Sequence, residues 1–124
     1  MRFLMLQAYF NLLQFEFYLN RRDFSALREE VRRYPTASCA VSSDALARIC
    51  WAMDKACVWY WKEALCLQRS AALTCLLRRQ GVAAQLIIAA QQMPFKAHAW
   101  VEVEGRVIND KPYIADLYAV LESW

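Results

Sequence analysis

Three residues of the chain carry the functional groups of a cysteine-nucleophile active site. Cys66 opens the run CLQRSAALTCLLRRQG, His98 is the single histidine of the chain, and Asp110 closes the run RVIND. A thiolate can attack a carbonyl carbon, an imidazole can take and return the proton, and a carboxylate can hold the imidazole in the required tautomer. If folding brings the three together, the chain is an enzyme that cleaves acyl bonds through a cysteine.

Cys66 lies where the pattern predicts the start of a helix that runs to Gln80, with Gly81 in the left-handed position that ends it. Unpaired N–H groups and the helix dipole at that start favour a thiolate and can stabilise an oxyanion. The other four thiols fit the role less well. Cys75 lies on the far side of the same helix. Cys39, Cys50 and Cys57 lie in or near the helical half and are expected to pack as small apolar residues.

The strand that carries His98 sets a geometric condition for the triad. In a hairpin of strands 97–103 and 106–110, alternate side chains point to opposite faces. A two-residue turn at Glu104 and Gly105 would place Asp110 opposite Ala99, on the wrong face. A three-residue turn with Gly105 in a bulge would bring Asp110 level with His98 or Trp100, so the triad predicts a turn of odd length or with a bulge. Glu102 lies on the same face of the strand as His98 and is the second candidate, the reserve carboxylate, for orienting the imidazole.

The first half of the chain has the periodicity of helices. On the first helix, apolar residues three and four positions apart form a stripe expected in the core or at an interface: Phe3, Leu6, Phe10, Leu13 and Phe17. Asp23 can cap a second helix, which must stop near Tyr34 because Pro35 follows. A third helix starts at Ser42 or Ser43 and gives way near residue 56 to the aromatic run WYW at 59–61.

The second half combines the helix from Cys66 with strands. The apolar run 83–90 is predicted to be a buried strand, 97–103 alternates as a half-buried strand, and 114–123 is predicted to be helical. Helices first and strands later describe an α+β fold. We expect a single domain, 1–124, with a helical half (1–58) and a half (59–124) that packs the catalytic helix on a small antiparallel sheet.

Composition excludes several classes of function. The net charge of +3 is too small to indicate nucleic-acid binding. Five cysteines without a two-residue spacing, and one histidine, do not make a zinc or redox site, so we expect no metal or cofactor and reduced thiols in the cytoplasm. The apolar N-terminal stretch contains Gln7, Asn11, Gln14 and Glu16 and is shorter than the roughly 20 residues of a membrane span, which it is therefore not expected to form.

The motifs around the three residues are also those of a known family. CLQRSAALTCLLRRQGVAAQLIIA followed by PFKAHAWVEVEGRVIND resembles the B2 proteins of lasso-peptide biosynthesis, over about residues 60–112. The joint occurrence of CLxRS, LLRRxG and PFxAHAWVE at these separations is specific. The resemblance implies a papain- or transglutaminase-like core, with the nucleophile at Cys66, the base at His98 and the third member of the triad at Asp110.

The resemblance also implies a function. B2 proteins are cysteine proteases that remove the leader from a precursor peptide by hydrolysing the leader–core amide bond, and a separate ATP-using cyclase then closes the ring on the freed amine. Some relatives carry a leader-binding domain at their N-terminus. This chain is expected to be too short for one, and its first 60 residues are predicted to be helices rather than the winged-helix-like mixture of that domain, so we expect a separate leader-binding B1 protein as partner.

Two other functions are open on the sequence. One is a transglutaminase-like amidase or acyltransferase that acts on another peptide, and the other is a non-catalytic scaffold that presents precursor peptide to other maturation proteins. Trp59, Tyr60, Trp61 and Trp100 are candidates to line a substrate cleft, although a core role is equally consistent with their type. Arg69, three residues after Cys66, could lie beside the nucleophile, but we expect it to face solvent or to make a structural salt bridge.

Overall fold

The computed structural model describes residues 2–34, 42–92 and 95–124, which form a layer of helices against one sheet. The elements are α1 (Arg2–Asn20), α2 (Phe24–Arg33), α3 (Ser43–Trp59), α4 (Cys66–Arg79), β1 (Ala84–Gln92), β2 (Phe95–Val103), β3 (Arg106–Val107), α5 (Ile114–Leu117) and β4 (Ala119–Ser123). The α+β class is therefore confirmed. Pro35 and Cys39 lie outside the described residues, so the expectations for them stay predictions.

The second and third helices begin where the sequence predicts. The Asp23 carboxylate accepts a hydrogen bond from the N–H of Ala26 at 3.0 Å, and the Ser42 hydroxyl accepts one from the N–H of Ala45 at 3.2 Å. Both side chains satisfy amide groups that the first turn of a helix leaves unpaired. Local capping chemistry thus determines these two boundaries.

Helix α4 is the centre of the fold. It packs against α1 and α3 on one side and against β1 and β2 on the other, and every residue from Ser70 to Arg78 is buried. It ends as predicted at Gly81, which has a φ of +84°. The N–H of Val82 binds the carbonyl of Leu77 and the N–H of Gly81 that of Arg78, both at 3.0 Å, which is a Schellman cap.

The four strands form an antiparallel sheet in the order β3-β2-β1-β4. Strands β1 and β2 pair along their whole length, from Ala84 opposite Val103 to Gln92 opposite Phe95. His98 lies opposite Ala89 in the middle of this pair. The imidazole is therefore carried by a central strand of the sheet.

The expectation of a helix over 114–123 is wrong for its second half. Only Ile114–Leu117 is helical, and Ala119–Ser123 pairs with the outer edge of β1. Trp124 then exchanges two backbone hydrogen bonds with Leu86, at 2.8 and 2.9 Å, and is itself buried. Strand pairing along the open edge of β1 thus overrides the local helical pattern.

The predicted odd-length or bulged turn is also wrong. Val103 pairs with Arg106, so Glu104 and Gly105 form a two-residue turn, and both have positive φ (52° and 76°) as a type I′ turn requires. The strand after the turn is only two residues long, not five. Residues 108–110 leave the regular ladder, which frees them from the alternation on which the prediction depended.

The apolar stripe of α1 is exposed, so it does not contribute to the core. Its five residues are between 41% and 69% exposed: Phe3, Leu6, Phe10, Leu13 and Phe17. The opposite face is the buried one, with Ala8, Leu12 and Phe15 fully covered. Periodicity identified an apolar face, but it could not tell which of two apolar faces meets α4. None of the helices in the described residues is long and apolar enough to cross a membrane.

Candidate active site

Cys66 is the first residue of α4 and is half-buried. The preceding residue, Leu65, occupies the N-cap position but has no side-chain acceptor, so the first amides of the helix have no side-chain cap. Gln68 makes the reverse contact, with Oε1 accepting the N–H of Leu65 at 3.3 Å. The thiol therefore lies at a helix end whose N–H groups and dipole favour negative charge.

A buried polar network holds the start of α4, and the sequence reasoning missed it. Gln68 donates from Nε2 to the carbonyl of Leu12 at 2.7 Å and to the hydroxyl of Tyr60 at 3.1 Å. The Tyr60 hydroxyl donates to Glu16 at 2.8 Å, and Lys62 lies 3.4 Å from the same carboxylate oxygen. Burial and the neighbouring Glu16 raise the pKa of Tyr60 to about 12, so the phenol stays a donor. The capping-box position of Gln68 was the available signal.

His98 and Asp110 are joined by a short hydrogen bond. Nε2 of His98 donates to Oδ2 of Asp110 at 2.6 Å, and both side chains are mostly covered, with exposed fractions of 23% and 17%. The imidazole stacks on the ring of Tyr118, with centroids 5.4 Å apart and planes 27° apart. The bond at Nε2 fixes the ring orientation and leaves Nδ1 for another partner.

The surroundings of Asp110 keep it ionised. Burial raises the pKa of Asp110, but hydrogen bonds from His98 and the N–H of Lys111, with the charges of His98 and Arg69, outweigh it and lower the pKa below 3.8. Within the described residues Arg69 forms no salt bridge with a carboxylate, so the expected ion pair is not made there. Its positive charge nevertheless acts on Asp110 from the first turns of α4.

Helix α4 is tied directly to the strand of His98. The Ser70 hydroxyl donates to the carbonyl of Ala99, the residue after His98, at 3.2 Å, and it accepts a bond from Asn109 at 3.0 Å. Cys66 lies one helical turn before Ser70, at the same end of the helix. Across the described ranges, His98 and Asp110 are in hydrogen-bond contact, whereas Cys66 makes no hydrogen bond to either of them.

The tryptophan candidates divide between surface and core. Trp59 and Trp61 are 71% and 65% exposed and stay candidates for a substrate surface. Trp100 is fully buried, and its ring centroid lies 6.1 Å from that of His98. Of the two roles considered for it, cleft or core, it therefore has the core role. Its indole N–H donates to Glu102 at 2.9 Å. The reserve carboxylate therefore binds Trp100, and Asp110 is the one that contacts His98.

The other described thiols are held in the protonated form. Burial, with the nearby Asp54 carboxylate, raises the pKa of Cys50 to about 11. Burial also raises the pKa of Cys57, and together with Glu30 it raises that of Cys75 to about 12. Because the thiolate is the nucleophilic form, these three side chains are poor nucleophiles at neutral pH.

No cluster of three or more histidine, cysteine, aspartate or glutamate side chains suited to a metal ion occurs among the residues that the structure describes. The functional groups of the site are a thiol at a helix start and an imidazole, on the adjoining sheet, bonded to a carboxylate.

A buried helix that begins with cysteine and packs on an antiparallel sheet, with a histidine of that sheet bonded to an aspartate, is the transglutaminase-like α+β arrangement that the sequence resemblance implies. The sequence profile of the transglutaminase-like superfamily matches residues 10–123. The chain therefore belongs to the transglutaminase-like superfamily. The match includes most of the helical half as well as the sheet.

A second comparison gives a more specific likeness. It is similar to the Microcin J25-processing protein McjB of Escherichia coli, with 43% identity over 56 residues. The aligned part covers 45% of this chain but only 27% of that relative. Together with the superfamily match, it confirms the resemblance that the motifs around Cys66 and His98 indicate. No solved structure matches the chain significantly.

Proposed function

We propose that the protein is a cysteine peptidase that removes the leader from a lasso-peptide precursor by hydrolysing the leader–core amide bond. The observation that carries the proposal is the 2.6 Å hydrogen bond between Asp110 and His98, whose strand β2 belongs to the sheet against which the Cys66 helix packs. Membership of the superfamily and the likeness to a microcin-processing protein support the substrate class.

In the proposed mechanism, the sulfur of Cys66 attacks the carbonyl carbon of the last leader residue. Nδ1 of His98 takes the thiol proton, and Asp110 stabilises the resulting imidazolium. The uncapped N–H groups at the start of α4 donate to the oxyanion. When the C–N bond breaks, His98 returns the proton to the amine of the core peptide, leaving the leader as a thioester on Cys66. Water, deprotonated by His98, then hydrolyses the thioester and restores the thiol.

The substrate is expected to lie across the exposed start of α4. Leu65, Trp59 and Trp61 are all more than half exposed and precede the thiol in sequence. Large exposed apolar side chains are typical of surfaces that bind peptides. We therefore include Trp59 and Trp61 in the proposed substrate surface and leave out the buried Trp100.

The proposal includes partners. A separate leader-binding B1 protein would deliver the precursor, and the cyclase would take the freed core. Free thiols at Cys50, Cys57, Cys66 and Cys75 support a reducing compartment, so we propose that processing takes place in the cytoplasm.

The decisive experiment combines the purified chain with precursor peptide and a leader-binding partner, and detects products by mass spectrometry. The wild type should release discrete leader and core, and Cys66→Ala should release neither while keeping its circular dichroism spectrum. Cys50→Ala is the matched control, since it removes a protonated, half-buried thiol and should keep full activity. Cleavage by Cys66→Ala would exclude Cys66 as the nucleophile.

The same assay separates the alternative functions. An intact precursor with wild-type protein, in the presence of the partner, would favour the scaffold. A leader joined to an added amine in place of free leader acid would indicate an acyltransferase. Loss of cleavage on adding a metal chelator would contradict the thiol mechanism as a whole.

A further inference from the structure

Asn109, next to Asp110, has a contact set that the proposed catalytic roles do not use. Its Oδ1 accepts the N–H of Val101 at 2.8 Å, and its Nδ2 donates to the Ser70 hydroxyl at 3.0 Å. Ser70 in turn donates to the carbonyl of Ala99. This side chain thus connects the strand of His98, the helix of Cys66 and the segment of Asp110.

The contact at Val101 changes the path of the chain. In a regular antiparallel pair, Val101 and Ile108 would exchange two backbone hydrogen bonds. Only one is made: the N–H of Ile108 donates to the carbonyl of Val101 at 3.0 Å, while the N–H of Val101 is taken by the Asn109 side chain. The backbone therefore leaves the ladder after Ile108.

Because the chain leaves the ladder here, Asp110 can reach His98 even though the turn has only two residues. Continued in register from Val103 opposite Arg106, the strand would put Asp110 opposite Ala99 and turn its carboxylate to the wrong face. Instead the carboxylate reaches Nε2 of His98 at 2.6 Å. We propose that Asn109 is a positioning residue, whose amide sets the reach of Asp110 to His98 and, through Ser70, fixes that pair relative to Cys66.

Few side chains can make both contacts. The amide oxygen must face Val101, because that backbone group is a donor, so Nδ2 necessarily faces Ser70. Ser70 then uses its lone pair for Asn109 and its proton for the carbonyl of Ala99. Aspartate has the same shape but no proton for Ser70, and alanine makes neither bond. Ser70 is fully buried, so the contact lies out of reach of solvent.

The single histidine of the chain makes a direct test available. In a ¹⁵N-labelled protein, the Nε2 proton held in a 2.6 Å bond should give a low-field, slowly exchanging signal that belongs to His98 alone. Asn109→Ala should lose this signal in the folded protein, and Asp110→Asn should lose it as well. Thr74→Ala is the matched control: it removes another buried hydrogen bond of α4, at 2.8 Å to the Ser70 carbonyl, and should keep the signal. A folded Asn109→Ala protein that retains it would overturn the proposal.

Ser70→Ala tests the connection from Asn109 to α4, and this test can still be made if Asn109→Ala does not fold. It leaves the Asn109–Val101 bond in place, so the His98 signal should persist, while kcat for leader cleavage falls at least about tenfold and KM stays the same. Unchanged kcat would overturn the connection to α4. The expected change in kcat rests on the proposed function, but the NMR signal of His98 can be measured whether or not the protein cleaves a precursor. If the wild type does not cleave the precursor but the His98 signals of wild type and variants are as expected, the proposed function is wrong and the positioning role of Asn109 stands.

Discussion

The His98–Asp110 pair combines two properties that general-base chemistry requires. The hydrogen bond at Nε2 fixes the orientation of the ring, and the stack on Tyr118 limits its rotation. The carboxylate stays negative because donors and positive charges around Asp110 outweigh the effect of burial on its pKa. A fixed imidazole beside a permanent negative charge can accept a proton without rearranging its neighbours.

The lowered pKa of Asp110 predicts how the stability of the protein depends on pH. A carboxyl group whose pKa is lower in the folded state stabilises that state fully above its unfolded pKa, here 3.8, and the contribution disappears as the pH falls through the lowered folded pKa. Asp110→Asn should therefore be less stable than wild type at neutral pH, and the difference should shrink below pH 3.8. Urea unfolding at a series of pH values measures this; a difference independent of pH would contradict the assignment.

At the scale of elements, α4 is held at both ends by polar contacts and along its length by apolar ones. Gln68 ties its start to α1, and Arg78 ties its end to α2 and β1. Arg78 is only 8% exposed and donates to the carbonyls of Val31 at 2.7 Å and Ala84 at 3.0 Å. The arginine pair of LLRRQG, Arg78 and Arg79, thus has one buried structural member.

Replacing each arginine of that pair in turn separates the structural member from the exposed one. Arg78→Ala leaves buried carbonyls without a donor and should lower the free energy of unfolding by about 3 kcal/mol. Arg79 is exposed, with one bond to the Tyr34 hydroxyl, and Arg79→Ala should cost below about 1 kcal/mol. Chemical denaturation compares the two variants, and equal losses would show that Arg78 is not a specific support.

The sequence predicted elements where local chemistry decides them and failed where tertiary pairing decides. The caps at Asp23 and Ser42 and the end of α4 at Gly81 follow from side chains close in sequence. Strand β4 could not be foreseen, because it forms only against the edge of β1. Asp110 contacts His98 although the turn is not the expected one. The Asn109 contact that redirects the chain could not be foreseen, because it joins residues far apart in sequence.

At the scale of the whole molecule, the main unexplained surface is the stripe of α1. A helix that is apolar on opposite faces is typical of one that lies between two layers, and the described residues supply only one of them. Taking roughly 200 Å² for a full aromatic side chain and about 150 Å² for leucine, the five stripe residues leave about 500 to 600 Å² open. That area approaches the roughly 800 Å² that each partner contributes to a specific interface. We propose the leader-binding B1 protein as the covering layer.

Phe10 and Leu121 provide a matched pair for testing this surface, since they are 63% and 64% exposed on different elements. Phe10→Glu should change the unfolding free energy by no more than about 0.5 kcal/mol, because the side chain faces solvent. In the cleavage assay it should raise the concentration of B1 protein needed for half-maximal rate by about tenfold, because a charge enters the centre of an apolar contact. Leu121→Glu should leave that concentration unchanged, since β4 is an edge strand of the sheet, whereas α1 packs against α2, α3 and α4. If both variants need the same concentration of B1 protein for half-maximal rate as the wild type, the stripe does not bind the leader-binding partner.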